Sequence, residues 1–138
     1  MNFEKALELA KRAELAREKS YSPYSSFSVG AALLTENGEI FTGANIESSS
    51  YTPTVCAERV AFFSAVHAGH RKFTAIAITG GKSKEALSDF CPPCGVCRQV
   101  MAEFADGNFE IILYDGNKIK TYTLSELLPA GFGKDNLK

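Results

Sequence analysis

The sequence predicts an α/β fold, a three-layer α-β-α sandwich around a mixed sheet of about five strands. Three observations predict it. Amphipathic stretches and short apolar runs follow one another in the order α-β-β-α-β-α-β-β-α, which leaves helices to cover both faces of one sheet. The 138 residues are one domain's worth of chain, 1–138, long enough to bury a core without disulfides. Apolar residues make up 45% of the chain and charged residues 22%, the balance of a globular protein and not of a fibrous or disordered one.

The elements follow in order. Residues 2–19 carry Phe3, Ala6, Leu7, Ala10, Ala13, Leu15 and Ala16 near helical spacing with Lys, Arg and Glu between them, which predicts an amphipathic helix. It ends before the turn-rich "SYSPYSSF", broken by Pro23. "VGAALLT" and "EIFTGANI" flank "ENG" and predict a β-hairpin on an Asn-Gly turn. Past the polar "ESSSYTPT", "CAERVAFFSAVHAG" predicts a second helix that Gly69 is placed to end. "FTAIAITG" is a buried strand, and "FCPPCGVCRQVMAEFADG" a loop that becomes a helix at about Cys94 and stops at Gly107. "FEIILYD" and "IKTYTL" are a strand pair around "DGN", followed by a short helix in "SELLP" and a polar tail.

Three of the four cysteines, Cys91, Cys94 and Cys97, fall within seven residues, and the fourth, Cys56, stands two residues before Glu58. The charged N-terminus has neither the apolar core of a leader nor a run long enough to span a membrane, so a cytoplasmic protein without a membrane partner is expected. In that reducing compartment clustered cysteines point to metal or catalytic thiols before disulfides. Both cysteine motifs sit where helices begin, and the unpaired N–H groups of a first turn favour thiolate over thiol.

Zinc takes thiolate ligands in a tetrahedron, and a catalytic zinc keeps one position open. Cys94 and Cys97, at i and i+3 on an opening turn, can clasp one ion, and Cys56 completes three ligands from the other helix. Pro92 and Pro93 hold Cys91 extended and lead it away from that turn, which argues for a small apolar residue at a loop edge. The competing arrangement is a structural zinc module closed by all four cysteines. Glu58 weighs against it, because a carboxylate in the same first turn as a ligand can hydrogen-bond a water at the metal. His67 is discounted as a ligand because it lies about three turns along its helix, roughly 16 Å from Cys56. His70 is discounted too, beyond the helix-stopping Gly69. The formal net charge of −1, from 15 basic and 16 acidic residues, supplies no field for a long polyanion, so a small molecule and not a nucleic acid is the expected partner.

"CAE" followed by "PCGVC" resembles the signature of the zinc-dependent cytidine deaminase superfamily. The likeness extends beyond the metal motif. "YSPYSSFSVGAAL", "TGANIESSSY", "CAER", "PCGVCRQV" and "LPAGF" follow the order found in the small homotetrameric cytidine deaminases, across nearly the whole chain. The resemblance implies hydrolytic deamination of cytidine and deoxycytidine in pyrimidine salvage, by attack of a zinc-activated water on C4 of the base and loss of ammonia. It assigns one Zn²⁺ per subunit to Cys56, Cys94 and Cys97, and proton transfer to Glu58. It gives the Ala57 N–H to the pyrimidine O2, Arg59 to the ligating sulfurs, Phe27 to the base, and Asn45 and Glu47 to the ribose. Phe132, in the tetrameric family, reaches a neighbouring subunit's site, so homotetramers with shared active sites are expected. Arg98 reads as a surface charge or a structural hydrogen-bond donor. The competing enzyme is a deaminase of a related nucleoside such as blasticidin S, whose relatives lack the acid that Glu47 provides.

Overall fold

The computed structural model describes residues 1–138 and carries the expected elements in the expected order. They are α1 (Phe3–Ala16), β1 (Phe27–Thr35), β2 (Ile40–Ala44), α2 (Ala57–His67), β3 (Phe73–Lys82), α3 (Gly95–Phe104), β4 (Glu110–Tyr114), β5 (Ile119–Thr123) and α4 (Leu124–Leu127). The five strands form one sheet in the order β2-β1-β3-β4-β5. It is mixed: β3 and β4 run parallel, because a helical crossover through α3 joins them, and the other pairs are antiparallel.

Alternation along β3 divides the core into two. Ala75 and Ala77 face α1, where small residues let Leu9, Ala10 and Ala13 approach the sheet. Ile76 and Ile78 face the other way and pack with Ala61, Phe62 and Ala65 of α2 and with Met101 of α3. Phe62 is fully buried and meets Phe73, Phe104 and Phe109 at ring separations of 5.2, 6.0 and 5.9 Å. The layers are therefore α1, sheet, and α2 with α3.

The seat of α2 fixes the position of everything its first turn carries. A Cβ at Gly43 of β2 would run into the Ala57 carbonyl oxygen and stand 2.6 Å from the Ala61 nitrogen. The backbone of α2 thus lies directly on the backbone of β2, a separation that only glycine permits.

Two boundaries differ from the sequence reading. The first helix stops at Ala16 and tightens into a 3-10 turn over Arg17–Lys19, and Leu15 is exposed. Leu15 stands two residues from the buried Ala13, about 200° around the helix, so it cannot share the buried stripe. The third helix ends before Gly107, because Ala105 is already extended at φ −137°.

Candidate active site

Cys56 and Cys94 occupy equivalent places: each is the residue that precedes the first turn of its helix, α2 and α3 respectively, and each has extended backbone angles. The segment leading into Cys56 is held by a bridge between Ile46 and Val55, itself paired to Tyr21. Cys94 accepts a hydrogen bond on its sulfur from the Cys97 N–H at 3.5 Å. Cys97 is buried, and the three Sγ atoms of Cys56, Cys94 and Cys97 all lie within 4.8 Å of one another. Cys91 is not in that group. Sulfurs about 2.3 Å from one tetrahedral zinc stand roughly 3.8 Å apart. The Cys56–Cys94 separation is 3.8 Å, so the donor set fits zinc in both chemistry and spacing.

Charge is arranged around these sulfurs. Hydrogen bonding from Cys97, with further help from Arg59 and Cys94, holds the Cys56 thiol down at about 5. Cys97 is driven the other way, since it shares a hydrogen bond with the Cys56 thiolate and is buried. Arg59 donates from Nη2 to the Cys56 sulfur at 3.4 Å, and this contact raises the guanidinium's own pKa. The Glu58 side chain is 3% exposed, and its Oε1 has no hydrogen-bond partner. Burial pushes its carboxyl up from 4.5 to about 7, with the Cys56 thiolate adding to the effect. An acid poised near neutrality beside a thiolate cluster can both accept and return a proton at physiological pH.

The remaining predicted residues divide into groups. The Glu47 carboxylate accepts from the Tyr24 N–H at 2.9 Å, the Ser25 N–H at 3.1 Å and the Ser25 hydroxyl, which lower its pKa, the hydroxyl most strongly. The Asn45 carboxamide accepts from Val29 N–H at 2.9 Å and Ser20 Oγ at 2.6 Å and donates to the Phe27 carbonyl at 2.9 Å. Asn45 is therefore largely spent on bracing β1, with one amide N–H to spare. Phe27 starts β1 and leaves 40% of its surface exposed. Ala57 is fully buried at the first position of α2. Phe132 follows α4 in the C-terminal segment. It is 58% exposed, its carbonyl accepts from Gln99 Nε2 at 2.7 Å, and it borders a separate depression with Phe104 and Leu128.

Cytidine and deoxycytidylate deaminase zinc-binding regions, taken as a family, match residues 3–113. The chain belongs to that deaminase family. A cytidine deaminase of Sporosarcina psychrophila is 45% identical over 138 residues, covering 99% of this chain and 96% of the relative. One from Halalkalibacterium halodurans is 46% identical over 132 residues, covering 94% and 95%. The crystal structure of cytidine deaminase from Burkholderia pseudomallei superposes with a TM-score of 0.83 at 41% identity, covering 96% of this chain and all of that one.

Within this deaminase the other polar side chains near the cluster are structural. Arg98 donates to the carbonyls of Pro93 and Leu127, both at 2.8 Å, and so ties the loop before α3 to α4. His70, outside the cluster of possible metal ligands, pairs with Glu39 at 3.0 Å and meets the Phe41 ring edge-on. Sequence reasoning missed Ser25 and Ser20, which orient Glu47 and Asn45 from 22 and 25 residues away. The serine-rich run before β1 was the available signal. Metal analysis separates the thiols: Cys94→Ser should weaken zinc retention roughly tenfold or more, while Cys91→Ser should keep one zinc per subunit. Equal zinc loss from both variants on dialysis against a chelator would remove the three-cysteine assignment.

Proposed function

We propose that the protein deaminates cytidine and deoxycytidine hydrolytically to uridine and deoxyuridine, releasing ammonia. The observation that carries this reading is the buried Glu58 carboxyl, whose Oε1 has no partner, beside three thiols that suit a zinc ion. A structural zinc module has no use for such a group, and leaving it buried without a partner is costly. Relatives at 45% and 46% identity are named cytidine deaminases, which favours cytidine over blasticidin S.

Zinc held by Cys56, Cys94 and Cys97 would supply Lewis acidity at an open position, lowering the pKa of water toward neutrality. Glu58 takes the proton of the attacking water and delivers it to ring N3. It then transfers the second water proton to the amine at C4, so that water and cytidine become uridine and ammonia. Three thiolates would leave Zn²⁺ with a net charge of −1, which blunts its acidity; Arg59, hydrogen-bonded to Cys56, offsets that charge. The Ala57 N–H binds O2 of the base, and Phe27 packs on the ring. Glu47 and the spare amide N–H of Asn45 take the sugar hydroxyls.

The same reading extends to assembly and setting. Phe132 completes a partner's site in a homotetramer, and the enzyme works in the cytoplasm in pyrimidine salvage. The exposure of Phe132 supports the first of these. No helix is long and apolar enough to cross a membrane.

Incubating zinc-loaded protein with cytidine and following uridine and ammonia tests the reaction. Equimolar formation of both is expected, and no turnover of either nucleoside would overturn the reading. Glu47→Ala should lower kcat/KM for cytidine by about 10–100-fold, because a hydrogen bond to a charged group at the sugar is worth roughly 1.5–3 kcal/mol. Unchanged nucleoside kinetics would take Glu47 out of the sugar site.

A further inference from the structure

Cys91 is the one cysteine without a role, and its packing is unusual. A Cβ at Gly80 of β3 would stand 2.6 Å from Cys91 Sγ, 2.9 Å from Cys91 Cβ and 3.2 Å from Phe27 Cε2. Gly80 is in register with Val29 of β1, whose side chain packs into the core beneath α2 and α3. The thiol therefore rests on bare backbone, on the active-site face of the sheet, beside the ring assigned to the base. It is close enough to Glu58 and Cys56 for their negative charges to add to the effect of burial in raising it to about 11, so it stays a neutral thiol.

The order of atoms around a pyrimidine decides which part of the substrate meets Cys91, if the deaminase reading above holds. Ala57 and Glu58, on α2, take the O2 and N3 edge, and C4 faces the three sulfurs. The next ring position is C5, which then turns away from α2 toward the segment entering α3. Cys91 is the side chain of that segment seated on the sheet next to Phe27. We propose that Cys91 is a specificity-determining residue, the wall against C5 of the pyrimidine, and that its bulk sets which C5 substituents the enzyme accepts. Gly80 leaves no slack beneath it, so any enlargement at position 91 must grow into the space for the base.

The test compares cytidine with 5-methylcytidine for wild type, Cys91→Ala and Cys91→Leu, each checked for zinc content. Space for one methyl group is worth about 10-fold or more in kcat/KM. Cys91→Ala should raise the 5-methylcytidine to cytidine ratio by about that factor, and Cys91→Leu should lower it. Ratios within about twofold of wild type in both variants, with cytidine turnover intact, would overturn the proposal. Failure of wild type on cytidine would instead sink the deaminase reading itself. A second measurement needs no variant: saturating uridine should slow modification of Cys91 by methyl methanethiosulfonate in the zinc-loaded wild type, read by mass spectrometry. An unchanged rate would mean that the thiol does not face the base.

Discussion

Glu58→Gln is expected to give a folded, zinc-loaded protein whose kcat for cytidine falls by roughly 10²–10⁴-fold, with KM little changed. The amide fills the same space and can still hydrogen-bond, but it cannot carry a proton from water to N3 and on to the leaving amine. The buried position makes the experiment clean. Glu58 is 3% exposed with Oε1 unpartnered, and burial already disfavours its charge. Neutralising it removes no ion pair, so the midpoint of thermal unfolding should not drop. Zinc content, kcat and the unfolding midpoint together test the role, and turnover within a few-fold of wild type would exclude Glu58 as the proton carrier.

The second large effect concerns assembly. Phe132→Ala alone should lower turnover by about 30-fold, the scale of losing a large aromatic contact. Co-expressed with Glu58→Gln, however, it should recover activity. With Phe132 donated between subunits as proposed, a Phe132→Ala subunit in a mixed tetramer would keep its own Glu58 and receive an intact Phe132 from a Glu58→Gln neighbour, so random mixing would rebuild about a quarter of the sites. Activity near that fraction of wild type, well above the sum of the two separate proteins, is expected. If native mass spectrometry confirms mixed tetramers and no gain is seen, Phe132 acts within its own chain.

The two halves of the metal cluster were legible in the sequence because each is local, whereas the meeting of Cys56 with Cys94, 38 residues apart, is not a local feature. The i, i+3 spacing of Cys94 and Cys97 on a first turn, and Glu58 two residues past Cys56, depend only on where two helices begin. The element order was legible for the same reason. Asn45 and Glu47 were assigned to the ribose only by likeness to a family, and their hydrogen bonds to Ser20, Val29, Tyr24 and Ser25 span 16 to 25 residues, which no local pattern encodes. The seat of Cys91 on Gly80 was hidden too, since it joins a loop to a strand position whose only signal is a missing side chain. The exposure of Leu15 was present in the periodicity, two residues out of step with Ala13.

The backbone contact at Gly43 also bears on how such an enzyme can be altered. Since α2 meets β2 backbone to backbone at Gly43, the height of its first turn above that strand does not depend on any β2 side chain at the contact. Random mutagenesis of the core should therefore yield many variants with lowered thermal tolerance but an unchanged reaction. Changes in substrate preference should instead concentrate in the segments that carry the other assigned substrate contacts and lead into the two cysteine turns, around residues 24–27, 45–55 and 90–93. Adaptation of this scaffold to a new nucleoside would then proceed by loop exchange, with the catalytic helix inherited intact.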